Sequence, residues 1–498
     1  MVAAETNKTK RKKPYNDMQK HLKFTLISLA LSVICLASAL LVWHCEKEAT
    51  PNPKYIFYFI GDGMGFNHIL ATEQFNAVKE GKSEIERLNF TQFDTRNFVT
   101  NYSASSQVTD SAAAGTALST GVKTANSYIG VDSEGRELRN ITDVASELGY
   151  KVGLVTNVGI NHATPSCFYS HATDRFRFPD HIDRLIESDI AFVAGSTIMD
   201  YHSRPRLDKY EKITTAQLVE RLRNAGIAVE TDVERAATMS DSRVVLVANP
   251  DKNSHVPYVI DRKGDEQHTL LAHTRAAISY MKGAATDRFF LMVEGGKLDY
   301  AAHEQDPVAT FSEVNEFAQA VQLALDFAAE HPDETLIVVT SDHETGGFAL
   351  GWDRYEVRLN LLAGQRRSTI ATTKLIRQMR AEGKRDWKDY KAALSESFGL
   401  WSHVPVTEEE EALLRHDFYE IFLKYGPVVS GLYNNNERLV YDAIRILNSR
   451  ASLDWTSILH TGMYTPLYVK GAGESLFLEC RDQTDIPKVM AKLMGGQL

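Results

Sequence analysis

Clusters of acidic and histidine residues stand at several places in the 498-residue chain, each directly after a short apolar run. Mixed Asp and His side chains suit zinc, whereas a set of oxygen ligands alone suits magnesium. Four carboxylates brought together would repel one another unless cations compensated their charge. The sequence therefore predicts a site for divalent metals, with these candidate ligands: Asp62, Glu294, Asp299, His303, Asp342 and His343.

Two of these candidates, Asp299 and His303, are four residues apart, which places them on one face of a helix where they can share a metal ion. A D-x-x-x-H pair alone is weak evidence, since it is expected by chance in many proteins. Several polar clusters that all follow apolar runs are much stronger evidence for one shared site.

A serine in the segment 108–117, VTDSAAAGTA, is the candidate nucleophile. The small residues after Ser111 allow a helix to begin tightly behind it. Unpaired N–H groups at a helix N-terminus create a positive potential, which favours a serine alkoxide and an incoming phosphate. Taken alone, Ser111 is more simply interpreted as the N-cap of an alanine-rich core helix.

Short apolar runs alternate with longer helical patterns from residue 55 onwards. The runs are rich in Val, Ile, Leu and Phe with little polar alternation, which is typical of strands buried on both faces of a parallel sheet. Six strands are predicted: Tyr55–Ile60, Val152–Thr156, Ala191–Ala194, Val244–Ala248, Phe289–Val293 and Leu336–Thr340. A helix with one apolar face is predicted over Val308–Ala329.

This alternation predicts an α/β fold, namely a doubly wound three-layer sandwich with a mostly parallel central sheet. Ligands bind at the carboxyl ends of the strands in such a sheet, so the polar clusters are expected to converge on one crevice. The segment from about residue 352 to 456 departs from the pattern, because it is charged, helix-prone and poor in strand signals. We predict a helical insertion there, and the sequence leaves open whether it is a lid, a dimer contact or a specificity wall.

The N-terminus carries a targeting signal. Residues 1–23 are basic, and the apolar run 24–43 is long enough to cross a bilayer, with its positive flank in the cytoplasm. We predict a transmembrane signal anchor or a signal peptide at 24–43, a linker at 44–54 and one main domain at 55–498. The main domain is then extracytoplasmic, either membrane-anchored or secreted, and periplasmic in a Gram-negative bacterium.

Composition excludes some classes of function. The formal net charge of −10 argues against a nucleic-acid-binding module, and 43% hydrophobic with 24% charged residues is typical of a soluble globular protein. None of the four cysteines forms a C-x-x-C pair, which argues against a cysteine zinc site. The main domain contains Cys167 and Cys480, which we expect to be free and packed, although sequence leaves a disulfide open.

Six motifs resemble those of the alkaline phosphatase family and stand in the family's order. They are GDGMG (61–65), VTDSAAAGTA (108–117), HATP (162–165), VEGG with the following D-x-x-x-H (293–303), SDHE (341–344) and HTG (460–462). The resemblance covers about residues 55–473 apart from the helical segment, and the set is specific although each motif alone is not. It implies a phosphomonoesterase that acts on small-molecule phosphate monoesters, usually as a homodimer.

The resemblance also implies the roles of individual residues. Ser111 would attack phosphorus and become a phosphoserine, while Arg175 would bind the phosphate. Two zinc ions and one magnesium ion would be the cofactors. One zinc would be held by Asp299, His303 and His460; the other by Asp62, Asp342 and His343. The magnesium would be held by Asp62, Glu294 and Thr164.

Two positions differ from the best-known bacterial pattern of the family. His162 stands where that pattern has aspartate, as it does in animal members, and Tyr300 stands where many bacterial members have lysine. Both differences put the third metal in question, because groups around a metal tune its affinity. His68, just after GDGMG, is interpreted as a residue that caps or packs its helix.

Three alternative functions are less compatible with the sequence. A phosphodiesterase of the same superfamily generally lacks the third metal and the arginine, so Glu294, Thr164 and Arg175 favour a monoesterase. A sulfatase requires a C/S-x-P-x-R context, which the sequence SAAAG at 111–115 lacks. A non-catalytic, membrane-tethered metal- or phosphate-binding protein is disfavoured by the intact nucleophile and ligand set.

Overall fold

The computed structural model describes residues 14–45, 52–200, 212–264, 266–352, 355–423, 428–431 and 435–498. The chain divides into two units, Met1–Pro51 and Asn52–Leu498. The first unit contains the helix α1 (Pro14–Cys45). In the described part of the chain, no helix is both long and apolar enough to cross a membrane. Residues 1–13, the side chains at 37–43 of the predicted apolar run, and residues 46–51 of the predicted linker lie outside the described residues.

A nine-stranded sheet forms the centre of the second unit, in the order β2-β15-β8-β1-β7-β3-β4-β6-β5. Its strands are β1 (Tyr55–Ile60), β2 (Thr95–Val99), β3 (Lys151–Thr156), β4 (Phe192–Thr197), β5 (Ala228–Glu230), β6 (Val244–Asn249), β7 (Phe289–Glu294), β8 (Thr335–Thr340) and β15 (Thr465–Gly471). Short strands outside it are β9 (Glu344–Thr345), β10 (Phe348–Leu350), β11 (Val428–Ser430), β12 (Asn435–Glu437), β13 (Leu453–Trp455) and β14 (His460–Thr461). Only β15 pairs antiparallel with its neighbours in the large sheet.

Helices surround the sheet and complete the α/β fold. They are α2 (Phe66–Lys79), α3 (Ser111–Thr120), α4 (Ile141–Glu147), α5 (Ala163–Ser166), α6 (Phe178–Glu187), α7 (Thr215–Asn224), α8 (Val233–Ala237), α9 (Leu270–Lys282), α10 (Lys297–His303), α11 (Pro307–Glu330), α12 (Thr369–Ala381), α13 (Trp387–Phe398), α14 (Glu408–Glu420), α15 (Arg438–Arg450) and α16 (Asp485–Met494). The predicted fold class is confirmed, and the predicted helix over 308–329 corresponds to α11.

The strands of the sheet are buried on both faces, as their apolar composition predicts. In β1, Ile56 and Tyr58 pack into one hydrophobic core, whereas Phe57 and Phe59 pack into a second core on the opposite face. This alternation explains why the strand has no polar face to expose. The six predicted strands are all present as β1, β3, β4, β6, β7 and β8, with ends within three residues of the predicted ones.

A third hydrophobic core lies under the helices α12 to α15 and includes Tyr390, Phe418 and Leu447. These helices fall within the segment for which a helical insertion is predicted. The four glutamates at 408–411 occupy the first turn of α14, where the helix dipole stabilises negative charge. Two of them make ion pairs, Glu410 with Arg450 and Glu411 with Lys391, so only part of the run is a freely solvated face.

The cysteines of the second unit are not cross-linked. Cys167 and Cys480 are both buried and free, as predicted. The sulfur of Cys167 lies 3.2 Å from the carbonyl oxygen of Ala112, directly behind the first turn of α3. Burial raises the pKa of the Cys167 thiol to about 12, so it behaves as a small packing residue in its neutral form.

Candidate active site

Four neighbouring strands deliver the predicted polar clusters to one edge of the sheet. The strands β8, β1, β7 and β3 are adjacent and parallel. Glu294 is the last residue of β7, while Asp62 and Asp342 follow β1 and β8 by two residues. Helices α5 and α10 begin just after β3 and β7 and carry Thr164 and Asp299. The polar clusters therefore converge at the carboxyl ends of the strands, as the sequence predicts.

Asp299, His303 and His460 form a first group of three potential metal ligands, whose ligand atoms all lie within 4.8 Å of one another. The Nε2 atom of His303 lies 3.1 Å from Asp299 Oδ1, and that of His460 lies 3.6 Å from it. The two Nε2 atoms are only 3.2 Å apart. This group joins the predicted pair on α10 with the residue from the late HTG motif.

The orientation of both imidazoles suits metal binding. Nδ1 of His303 lies 2.5 Å from the carbonyl oxygen of Ile458, and Nδ1 of His460 lies 2.9 Å from that of Thr109. A carbonyl oxygen can only accept, so Nδ1 donates on each ring, and Nε2 faces Asp299, where a shared metal ion would bind. Burial, followed by the neighbouring charge of His343, lowers the pKa of His460 to about 3, which keeps this ring neutral.

Asp62, Asp342 and His343 form the second group, also within 4.8 Å. The Nε2 atom of His343 lies 3.1 Å from Asp342 Oδ2 and 3.5 Å from Asp62 Oδ1. The other Asp342 oxygen accepts hydrogen bonds from the backbone N–H groups of Gly63 (3.0 Å) and His343 (2.8 Å). The nucleophile candidate is adjacent, since Ser111 Oγ lies 3.2 Å from His343 Nε2.

A third group consists of Asp62, His162 and Glu294, and it shares Asp62 with the second. One Glu294 oxygen accepts a hydrogen bond from the Thr156 hydroxyl at 2.5 Å. The Thr164 side chain lies beside the same carboxylate. The structure thus brings together the residues to which the resemblance assigns a magnesium ion, and it adds His162.

Buried oxygen atoms without hydrogen-bond partners indicate that these groups can bind cations. Both carboxylate oxygens of Asp62 are buried without a hydrogen-bond partner among the described residues, and so is one oxygen of each of the following: Thr164, Glu294, Asp299 and Asp342. Buried polar atoms are nearly always paired, so six unpaired oxygens in one place call for a ligand. Each group offers carboxylate oxygen together with imidazole nitrogen, two imidazoles in the first group and one in each of the others, and such mixed donor sets suit divalent metal ions.

The buried carboxylates depend on such cations to remain ionised. Burial, and then the charges of Asp342 and Asp299, raise the pKa of Asp62 well above its usual range. Burial likewise raises the pKa of Glu294 to about 8. For Asp299, burial also acts upward, but the adjacent His303 imidazole holds its pKa well below the usual value. Divalent cations would keep all of these carboxylates ionised.

Ser111 is the first residue of α3, and Asp110 is its N-cap. The interpretation of Ser111 as an N-cap residue was therefore wrong, because the preceding aspartate accepts the cap hydrogen bond from the Ala113 N–H at 3.0 Å. Ser111 is fully buried at the helix N-terminus, where the positive end of the helix dipole favours an alkoxide and an anionic ligand.

Asp110 also holds Arg175. One oxygen of Asp110 accepts hydrogen bonds from Arg175 Nη1 and from the backbone N–H of Ser127, both at 3.0 Å. The other guanidinium nitrogen, Nη2, lies 3.3 Å from His162 Nε2. His181 is fully buried and contacts the Arg175 carbonyl at 3.2 Å, so it supports the backbone of the arginine. One carboxylate thus fixes both the helix of Ser111 and the arginine beside it.

A cavity of about 470 Å³ gives access to this arrangement. Its lining includes polar groups of Asp110, His162, Arg175 and His460, and most of the exposed lining surface is apolar, with Val108, Phe176, Phe178 and Leu459 among the lining residues. A small phosphate ester fits such a volume with its phosphoryl group against the polar groups.

Sequence reasoning missed the roles of Asp110 and the place of His162 among the ligands. Asp110 had a usable signal, because aspartate directly before an alanine-rich helix is a preferred N-cap. His162 lies in the HATP motif but was treated as a departure from the pattern. The link from Asp110 to Arg175 spans 65 positions, and no local spacing reveals it.

Comparisons with known proteins agree with the geometry. A family model described as alkaline phosphatase matches residues 53–194 and 215–495. Alkaline phosphatase 3 of Bacillus subtilis (strain 168) is 30% identical over 453 residues, covering 89% of each chain. The crystal structure of a cold-active alkaline phosphatase from the psychrophile Shewanella sp. has a TM-score of 0.73 at 26% identity and covers 88% of this chain and 99% of that one. The chain belongs to the alkaline phosphatase family.

Proposed function

We propose that this chain hydrolyses small-molecule phosphate monoesters through a phosphoserine formed on Ser111, at a site that holds two zinc ions and one magnesium ion. The observation that carries the proposal is the position of Ser111 Oγ. It lies at a helix N-terminus, 3.2 Å from one potential metal ligand, His343. Asp110, the residue before it, pairs with Arg175 at the base of the same cavity.

Ser111 supplies the nucleophile in the first step. Its hydroxyl proton passes to solvent, Oγ forms a bond to phosphorus while the bond from phosphorus to the ester oxygen breaks, and the departing alkoxide takes up one proton from solvent to become the alcohol. In the second step, water attacks the phosphoserine and releases inorganic phosphate and the serine hydroxyl. The N-terminus of α3 favours negative charge on Oγ in both steps.

Arg175 binds and orients the phosphoryl group. A guanidinium can donate to two non-bridging oxygens at once, which fixes the direction of attack. Asp110 accepts from Nη1 at 3.0 Å and thereby holds the guanidinium toward the cavity. This arrangement recognises the phosphoryl group, and the mostly apolar cavity walls impose few polar demands on the rest of the ester.

The ligand groups are assigned to the metals as the family resemblance implies. Asp299, His303 and His460 would hold one zinc, and Asp62, Asp342 and His343 the other. Asp62, Glu294, Thr164 and His162 would surround the magnesium. Bound there, the paired metals supply Lewis-acid stabilisation of the attacking and leaving oxygens.

We further propose that the chain works outside the cytoplasm and as a homodimer. Export is supported by the basic and apolar N-terminal segments. Hydrolysis of an impermeant monoester by intact cells would agree with export, whereas activity only after lysis would contradict it.

Dimerisation is supported by two exposed aromatic side chains, Phe98 on the edge strand β2 and Tyr464, which are 56% and 54% exposed with ring centroids 5.1 Å apart. A monomeric sedimentation coefficient at micromolar concentration would exclude the dimer.

The first prediction concerns the nucleophile and the metals. Ser111→Ala and treatment with EDTA are each expected to lower the hydrolysis of a generic phosphate monoester by about a thousandfold or more, because each removes a part that acts in the bond-making step. Ser119→Ala changes a buried serine of the same helix and should retain activity. Preference for the matching diester would contradict the monoesterase, and metal binding without any turnover would favour a binding protein.

The second prediction concerns the support of Arg175. Asp110→Asn keeps the shape of the side chain but weakens its pairing with the guanidinium, so kcat/KM for the monoester should fall about 10- to 100-fold through misplacement of the arginine. The matched control is Asp132→Asn, since Asp132 also accepts two backbone N–H groups and an arginine, Arg136, far from the site. Equal kcat/KM for both variants would show that Asp110 has no such role.

The third prediction concerns the group formed by Asp62, His162 and Glu294. Replacing an imidazole by an oxygen ligand, as in His162→Asp, should tighten magnesium binding about tenfold, because Mg²⁺ prefers oxygen. Magnesium titration by calorimetry on the zinc-loaded protein measures the change. His171→Asp, a partly buried histidine that contacts the Leu138 carbonyl, is the control. An unchanged magnesium affinity would remove His162 from the ligand set.

A further inference from the structure

Glu344 is a buried carboxylate beside the metal groups that belongs to none of them. It directly follows His343, and only 2% of its surface is exposed. Its oxygens accept hydrogen bonds from the backbone N–H groups of Gly347 at 3.1 Å and Phe348 at 3.0 Å. The Thr461 hydroxyl donates a further hydrogen bond to it. The function proposed above gives this arrangement no task.

The contact with Thr461 links two separate parts of the site. Strands β9 and β14 pair antiparallel, with Glu344 opposite Thr461 and Thr345 opposite His460. The pairing is only two residues long and is extended by backbone hydrogen bonds such as that from the Gly346 N–H to the Leu459 carbonyl at 2.9 Å. The hydrogen bond from Thr461 to Glu344 is the side-chain link at the end of the pairing. His460 enters the first metal group from this short strand.

The GDGMG loop is shaped around the same carboxylate. A Cβ atom on Gly65 would lie 2.3 Å from Glu344 Cγ, so only glycine leaves room for the side chain. His68 is fully buried, and its Nδ1 accepts a hydrogen bond from the Gly65 N–H at 3.0 Å. The proton of this imidazole is therefore on Nε2, which lies 3.9 Å from Glu344 Oε1. The predicted capping and packing role of His68 is thereby confirmed.

His460 needs such support more than the other ligands of its group. Asp299 and His303 are carried by one helix, α10, whereas His460 lies in a segment whose neighbours Leu459 and Met463 are exposed. Its own ring makes one contact with the backbone, to Thr109. A fixed anion at Glu344 holds the next residue, Thr461, and thereby limits the motion of the ligand.

We infer that Glu344 is a positioning residue, which places His460 for metal binding through the hydrogen bond from Thr461. It preorganises the first metal group without touching the metal or the phosphate. The carboxylate that follows the metal ligand His343 thus ties the second group to the first, and the rings of His343 and His460 stack with centroids 3.5 Å apart. This inference rests on the proposed metal sites but not on the identity of the substrate.

Zinc titration of the metal-free, full-length protein against a competing chelating dye tests the inference. Glu344→Gln keeps the shape of the side chain but replaces one carboxylate oxygen by an amide NH2 group. This group cannot accept the hydrogen bonds that the backbone N–H groups and Thr461 donate. The substitution should weaken one zinc site by about tenfold, the usual effect of losing a group that orients a metal ligand. Thr461→Val removes the same hydrogen bond from the other side and should weaken the same site.

The double variant separates a positioning role from general damage. If Glu344 acts through Thr461, Glu344→Gln combined with Thr461→Val should bind zinc no more weakly than the worse single variant. The matched control is Glu73→Gln. Glu73 is 1% exposed and accepts hydrogen bonds from the Leu88 N–H and the Thr91 hydroxyl, but it belongs to no metal group. It should lower the melting temperature of the metal-free protein as much as Glu344→Gln does, and leave zinc affinity unchanged.

The inference is overturned by wild-type zinc affinity in Glu344→Gln, and also by effects of Glu344 and Thr461 that simply add. A wild-type chain that binds no zinc would overturn it as well. A chain that binds zinc with the expected pattern but hydrolyses no monoester would remove the proposed activity and still support the role of Glu344. The metal titration therefore separates the two proposals.

Discussion

The repulsion among four buried carboxylates is the constraint on which the rest of the site depends. Asp62, Glu294, Asp299 and Asp342 are each 0% exposed, and removing such charges from water is costly unless opposite charges compensate. The carboxylates of Asp62 and Glu294 respond with raised pKa values. Divalent cations would remove this cost, so the same residues that destabilise the metal-free fold provide strong binding to metals. Metal affinity and folding stability are in this way coupled.

The sheet makes this concentration of charge possible. Its apolar strands are buried on both faces by large side chains such as Tyr58 and Phe59, which hold the strand ends in fixed positions. The ligands follow these ends within a few residues, and the helices α3, α5 and α10 begin at the same edge. A rigid scaffold keeps like charges close together, since neither strand ends nor short loops can move apart without breaking the core.

Sequence predicted those features that local patterns encode. The central strands follow from continuous apolar runs, and the ligands from polar residues placed after them. The strands β2, β5 and β15 were not predicted, because β5 has only three residues and β15 contains Pro466, which lacks the N–H donor of an ordinary strand. Long-range contacts gave no local signal: the pairing of Asp110 with Arg175 and of Glu344 with Thr461 depends on the folded chain alone. His460 was assigned only through the resemblance of its motif.

Two acidic residues that belong to no proposed metal group, Asp110 and Glu344, show how the positions of the reactive groups are fixed from outside the ligand groups. Asp110 fixes Arg175 and the helix of Ser111, and Glu344 fixes the strand of His460. Each accepts backbone N–H groups as well as a side chain, so its position is determined by the main chain. A carboxylate bound in this way keeps its position independently of any metal. The reactive groups can therefore be ordered before substrate arrives, which is the condition under which hydrogen bonds and charges lower a barrier most effectively.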